Sequence, residues 1–230
     1  TSPERPDPIR ETAVSRGIPV FQPLLYRDEH LFSSYRSLRP DLTLLAFVPR
    51  LIPAPYLSLP GRGSICYHPS LLPRHRGVSA MNWTILMGDS RTGLTIFWPD
   101  RGIDTGPILL RKEVDIGSEE TVGSLYYDHL FPLGVEALLE SVDRIREGTA
   151  PKIPQSEEGA TYEPPCDDRF AGIDWGESAR QIHTRIRGCD PQPGAFACLR
   201  GEKVRLYGSS LLGKATDLAP GSVAGVDEQG

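Results

Sequence analysis

An α/β architecture, with a mostly parallel sheet and helices followed by a small β-rich unit, is what this sequence predicts, and three observations predict it. Short apolar runs alternate with segments of helical periodicity over the first 150 residues. A proline-rich stretch with few apolar residues, Gly148 to Pro165, then interrupts the pattern. Beyond it come one helical segment and two strand-like runs joined by a tight turn. The expected organisation is a first domain over 1–150, a linker over 151–168 and a second, smaller domain over 169–230.

Taken in order, the opening TSPERPDPIRETA is a polar loop entering a helix. GIPVFQP, Gly17 to Pro23, reads as a short strand. DLTLLAFV, Asp41 to Val48, reads as a buried strand because it is nearly continuously apolar and bounded by prolines. GSICY, Gly63 to Tyr67, is a third strand, and TGLTIFW, Thr92 to Trp98, a fourth, rich in the β-branched and aromatic residues that suit a pleated surface. Between these two, VSAMNWTILM, Val78 to Met87, has the apolar spacing of a buried helix, and Gly88 stops it. From Thr121 to Glu147 the spacing of Val122, Leu125, Leu130, Leu138 and Val142 predicts a long helical segment that Pro132 breaks or kinks. The stretch from Gly148 to Pro165 contains four prolines and is expected to lie over the surface. Ser178 to Arg187 is a helix, and Ala195–Leu199 and Lys203–Tyr207 are strands joined by the turn RGEK. No internal repeat is present.

Composition narrows the function. At 230 residues the chain can bury a core without a metal or disulfide staple. A formal net charge of -5 with no Lys/Arg-rich run argues against general nucleic-acid binding, which needs clustered positive charge. The cysteines, Cys66, Cys166, Cys189 and Cys198, form no CxxC pair, so neither zinc nor a disulfide framework is indicated and a reducing, cytoplasmic setting is expected. No apolar run approaches the roughly 18 residues of a membrane span, and no charged-then-apolar leader opens the chain. Oligomeric state is not written in the sequence.

The chemistry concentrates in two loops. CYHPSLLPRHRG, Cys66 to Gly77, follows a strand, and His68 stands at that strand's carboxyl end, where an open sheet builds its site. His75, flanked by Arg74 and Arg76, reads as part of a basic edge facing phosphate or carboxylate, and a metal site of His68 with His75 lacks a third ligand. His30, His129 and His183 fit half-exposed loop histidines without a role. DRGIDTGPILL, Asp100 to Leu110, also follows a strand. It either forms an Asx-type turn and nothing more, or brings a carboxylate from one carboxyl-end loop to the histidine of another, raising its pKa and orienting it.

HPSLLP with RHRG, followed by DRGIDTGPIL, resembles the folate-dependent formyltransferase family. The likeness runs from about Gly17 onward and is greatest to the hydrolase domain of 10-formyltetrahydrofolate dehydrogenase, through YHPSLLPRHRG, NWT, IFW, LFP, PQSEEGATYE and IRG. The resemblance implies a Rossmann-like formyltransferase domain with a small β-rich C-terminal domain. It also implies a catalytic pair, His68 and Asp104, and 10-formyltetrahydrofolate as formyl donor without a metal. Arg50, Leu51 and Ile52 match positions whose backbone holds the pterin ring, the loop Asp100 to Asp104, with Gly102 and Ile103, would close its other side, and Ser70, Leu71 and Leu72 would shape the turn. The acceptor, whether amine, carrier thiol or water, is not implied.

Two departures stand out. Most transferases of the family place an asparagine two residues before the histidine to share the oxyanion; this chain has Cys66, a weak donor, and the hydrolase domain lacks the asparagine too. An oxyanion less well held by about 2–4 kcal/mol is expected. Cys66 is either a covalent nucleophile beside His68 or a buried, inert thiol. The chain also lacks the family's first strand and its closing strands, as a piece of a longer protein would. The competing readings are a non-catalytic folate-binding or regulatory homologue, a methionyl-tRNA formyltransferase, which the RHRGVSAMNW stretch disfavours, and a nicotinamide-dependent dehydrogenase, for which no GxGxxG occurs.

Overall fold

A computed structural model describes residues 7–22, 29–48, 50–213 and 217–225. It comprises two compact units, Thr1–Thr43 with Arg50–Gly63 and Leu44–Pro49 with Ser64–Gly230.

In the first unit, helix α1 (Pro8–Ser15) starts where the Asp7 side chain accepts from the Arg10 N–H and Pro8 supplies a preset first-turn φ. Helix α2 (Glu29–Ser37) was not foreseen in the sequence. It presents Phe32 and Tyr35 to Tyr56 of the short helix α3 (Ala54–Ser58), with ring centroids 5.0 and 5.2 Å from Tyr56. The strand expected from Gly17 does not form: residues 18–22 are irregular, with Val20 and Phe21 exposed, and Pro23 lies outside the described residues. β-Propensity without a ladder partner is insufficient.

A four-stranded sheet runs in the order β1-β2-β3-β4, with β1 at Thr43–Leu45, β2 at Ser64–His68, β3 at Arg91–Phe97 and β4 at Ile108–Asp115. β1 is shorter than the apolar run predicted, because Phe47 adopts φ 56 and ends the extended stretch. The α/β class is as expected, but the mostly parallel pairing is not: β2 with β3 and β3 with β4 are both antiparallel. The physical reason lies in the connections. Residues 98–107 return directly from β3 to β4, a connection that joins antiparallel neighbours, and helix α4 (Ala80–Leu86) lies in the longer connection from β2 to β3.

Strand alternation gives the sheet two faces. Tyr67 pairs opposite Ile96, and a Cβ at Gly134 would come within 2.8 Å of the Tyr67 ring, so helix α6 (Phe131–Glu147) crosses that face at close range. Cys66 and His68 pair opposite Phe97 and Thr95 on the other face. The predicted long helix runs without a break from Val122 to Glu147 but changes its winding ahead of Pro132. A short helix α5 (Val122–Ser124), capped by Thr121, passes into a π-helical turn at Leu125–Leu130, and Pro132 then occupies the first turn of α6, where its missing N–H is tolerated. Ile85, Val122, Leu125 and Leu130 form a core there.

Beyond Pro165, helix α7 (Asp168–Ala171) and helix α8 (Ala179–Cys189) precede a hairpin of β5 (Ala195–Leu199) and β6 (Glu202–Leu206). Ser178 and Gln181 cap α8 reciprocally. Leu199 pairs with Glu202 across Arg200 and Gly201, at φ 52 and 88, the positive values a two-residue hairpin turn demands. Ala171, Ile186, Cys189 and Ala195 form its core.

Candidate functional site

The site is built on the face of the sheet that carries Cys66 and His68. After His68 the chain leaves β2 and folds back over Thr95: Thr95 Oγ1 donates to the Ser70 carbonyl at 2.7 Å and accepts from the Leu72 N–H at 3.1 Å. Ser70 and Leu72 are fully buried, which gives the SLLP segment the turn-shaping part expected of it. The turn delivers the backbone oxygen of His75 to His68 Nε2 at 2.8 Å. A carbonyl only accepts, so Nε2 carries the proton of this bond. His68 Nδ1 is therefore the nitrogen left for chemistry, and it lies 3.5 Å from Asp104 Oδ2.

Two carboxyl-end loops were expected to bring the pair together, and they do so although β2 and β3 are antiparallel: His68 closes β2 and Asp104 lies in the loop after β3. Their carboxyl ends lie at opposite ends of the ladder, so the loop after β3 doubles back to meet the histidine. It has the chemistry to do so. Asp100 Oδ1 accepts from the Gly102 N–H at 2.9 Å and the Thr105 hydroxyl at 2.6 Å, closing an Asx-type turn. Gly106 lies so close to the Trp98 carbonyl that a Cβ would collide with it. Asp104 itself takes φ 55, and its Oδ2 accepts from the Gly77 N–H at 2.8 Å.

Electrostatics follow from burial. His68 is 5% exposed, and burial lowers its pKa, with the Asp104 charge and the bond to the His75 carbonyl opposing. The Cys66 thiol is pushed up to about 12, first by burial and then by the Asp104 charge, so it stands as a thiol. An imidazole whose lone pair faces a carboxylate repels it; a proton on Nδ1 turns the contact attractive. The arrangement can therefore hold or pass one proton at Nδ1 beside a sheltered carboxylate.

Other residues differ from expectation. His75 is not part of a basic edge: it is 2% exposed, with Nε2 2.9 Å from Asp89 Oδ2 and Nδ1 3.4 Å from Glu163 Oε1. Arg74 does lie outside and pairs with Asp89, whereas Arg76 is sealed from solvent. His183 is buried on α8 against Ser209 and Ser118 rather than half-exposed in a loop. Arg50, Leu51 and Ile52 belong to the first compact unit, with Leu51 exposed and Ile52 half-buried. Ile103 is exposed at the tip of its loop, while the Asp100 carboxylate is committed to the turn. Sequence reasoning missed Gln155, whose amide donates to the carbonyls of Asp104 and Gly106 at 2.8 Å each. Its only signal was membership in the PQSEEGATYE stretch. Among the described residues no group of three or more His, Cys, Asp or Glu is placed to hold a metal ion, and no helix is long and apolar enough to cross a membrane.

Comparison with known proteins matches residues 3–142 to the family model described as Formyl transferase and residues 167–230 to the one described as Formyl transferase, C-terminal domain. The chain is 46% identical over 211 residues to mitochondrial 10-formyltetrahydrofolate dehydrogenase of Homo sapiens, spanning 90% of this chain but only 23% of that protein. It is 37% identical over 224 residues to methionyl-tRNA formyltransferase of Acetivibrio thermocellus, spanning 97% of this chain and 72% of that protein. In fold it is similar to HypX from Aquifex aeolicus, solved in complex with tetrahydrofolic acid, with TM-score 0.69 and 23% identity over 77% of this chain and 31% of that one.

Proposed function

Because this chain belongs to the formyl transferase family, we propose that it removes the formyl group from N10 of 10-formyltetrahydrofolate and passes it to an acceptor, with His68 and Asp104 as the catalytic pair. The observation that carries the reading is the 3.5 Å approach of His68 Nδ1 to Asp104 Oδ2, with Nε2 already committed to a backbone carbonyl.

The formyl group on N10 is amide-like, so an acceptor must add to its carbon and the carbonyl oxygen becomes an oxyanion. Protonated His68 donates from Nδ1 to that oxygen; burial works against the protonated ring, and the Asp104 charge and the His75 carbonyl work for it. As the new bond forms, Asp104 takes the proton of the nucleophile, directly or through water. Collapse breaks the bond from carbon to N10, and the proton returns to that nitrogen, giving tetrahydrofolate. Cys66 adds little, because a thiol is a weak donor and this one is not ionised. The pterin-holding role of Arg50, Leu51 and Ile52 and the closing role of the Asp100 to Asp104 loop, with Gly102 and Ile103, belong to this proposal.

The test is incubation with 10-formyltetrahydrofolate alone, with a panel of amines including an aminoacylated initiator tRNA, and with a carrier thiol, following tetrahydrofolate formation. Release without added acceptor identifies water as acceptor; release only with an amine or a thiol identifies transfer. Folate binding with no formyl loss in any arm would favour the non-catalytic reading. His68→Ala should abolish formyl loss while leaving folate binding largely intact, and wild-type turnover in that variant sinks the assignment.

A further inference from the structure

We propose that Gln155, in the stretch between β4-α6 and the C-terminal hairpin, is a positioning residue for Asp104. The proposal rests on the reading of His68 and Asp104 as the catalytic pair. Asp104 holds a left-handed backbone at φ 55, which a non-glycine residue keeps only where its surroundings fix it. Its side chain is fixed by the Gly77 N–H, and its backbone carbonyl by Gln155 Nε2 at 2.8 Å. The second hydrogen of the same amide goes to the Gly106 carbonyl, also at 2.8 Å, so Gln155 spans the turn in which Asp104 sits.

The other end of Gln155 is fixed as firmly. Its Oε1 accepts from Arg76 Nε at 3.2 Å and Nη2 at 2.9 Å. Both hydrogens and both lone pairs of the amide are thus in use, and the reverse orientation would set oxygen against two carbonyls and NH₂ against a guanidinium. Arg76 is 1% exposed and is itself anchored by Glu157 and by the Tyr162 hydroxyl at 2.6 Å. Arg76 belongs to the loop that follows His68. Gln155 therefore ties the loop of the histidine to the loop of the aspartate, through a segment that the sequence alone marks as a linker.

A bland alternative is that Gln155 only fastens its own segment to Arg76. Gln155→Glu separates the two, because a carboxylate keeps Arg76 as partner but has no hydrogen for the carbonyls of Asp104 and Gly106. Gln155→Met removes both ends at similar length, and Glu157→Gln weakens the anchor of Arg76 without touching the Asp104 loop. With the acceptor that the wild type uses, kcat, KM for 10-formyltetrahydrofolate and the pH profile of kcat/KM are measured for each, beside Asp104→Asn.

The positioning role predicts that Gln155→Glu and Gln155→Met lose about 10- to 100-fold in kcat with KM within about twofold, since a small misplacement of a catalytic group is enough for that. The alkaline limb of the profile should move to lower pH, because the Asp104 charge that supports His68 protonation has drawn away, and Glu157→Gln should behave as wild type. Wild-type kcat in Gln155→Glu beside an inactive Asp104→Asn would overturn the positioning role alone. Unfolding of both Gln155 variants would overturn it too, by making the residue a stability element. Wild-type turnover in Asp104→Asn is a different failure, that of the catalytic pair itself.

Discussion

His68 gives its Nε2 proton to the backbone oxygen of His75 at 2.8 Å, and this one bond decides which of its nitrogens can act on a substrate. His75 is buried between Asp89 and Glu163, so the carbonyl it offers is held in place by contacts remote from the reaction. The consequence is a ring locked in one tautomer whenever it is neutral. Nitrogen-resolved NMR of the imidazole should find the proton of neutral His68 on Nε2; a proton on Nδ1 in the neutral ring contradicts the arrangement.

The burial of His68 makes a statement about stability. Its pKa is lowered by burial, with Asp104 opposing only in part. The unfolded chain binds a proton near pH 6.5, roughly the ordinary value, that the folded chain resists. Stability from this group is therefore complete above that pH and is lost as pH falls from there toward the folded-state value. Thermal melts across this window should fall more steeply in the wild type than in His68→Gln, and identical slopes would contradict the assignment.

Cys66 should be chemically quiet. With its pKa pushed up to about 12, it forms almost no thiolate at neutral pH, so alkylation in the folded protein should be far slower than at the exposed Cys198. Cys66→Ala should retain formyl loss within about threefold. Cys66→Asn, which adds an amide donor beside the oxyanion, should raise the rate by about tenfold or more. Abolished activity in Cys66→Ala would revive the covalent reading.

The Asp104 loop leaves no room at Gly106, where a Cβ would collide with the Trp98 carbonyl. Gly106→Ala should cost about 1–3 kcal/mol in urea unfolding and reduce formyl loss with it. Gly61 has nothing within 4 Å of the same position, so Gly61→Ala serves as a near-neutral control. Equal midpoints for the two variants would show the loop to be more forgiving than its packing implies.

Arg76 is the deepest charged group near the site, and its bonds join Gln155, Glu157 and Tyr162 to the histidine loop. Arg76→Leu should cost on the order of 3 kcal/mol, because it strands several of these partners, and should open residues 151–163 to proteolysis. Glu157 is 76% exposed and its loss should be felt far less. Wild-type protease resistance in Arg76→Leu would show that the segment is held by other means.

Much of the candidate site was legible because its chemistry is local. His68 stands at the end of β2, where an apolar run meets proline, and the Asp100 turn is made by residues within five positions of each other. Helix α4 could be read from its apolar spacing and the stop at Gly88. β4 escaped notice because, past Ile108 and Leu109, it alternates half-buried with exposed residues and carries Arg111, Lys112 and Glu113, the pattern of a strand at the end of a sheet. The π-helical turn before Pro132 has no sequence rule of its own and arises where the helix must pass a proline.

By itself, then, the sequence determined the family, the α/β class, the strand that carries His68 and the turn that carries Asp104. Periodicity, turn chemistry and motif spacing are properties of neighbouring residues. The tertiary structure alone decided that β2, β3 and β4 run antiparallel, that His75 lies between Asp89 and Glu163, and that Gln155 reaches the carbonyl of Asp104. Those are choices of partner. His75 and Glu163, or Asp104 and Gln155, meet across dozens of residues, and nothing beside them in the chain specifies the group that will satisfy a buried carboxylate or carbonyl until the loops close over the sheet.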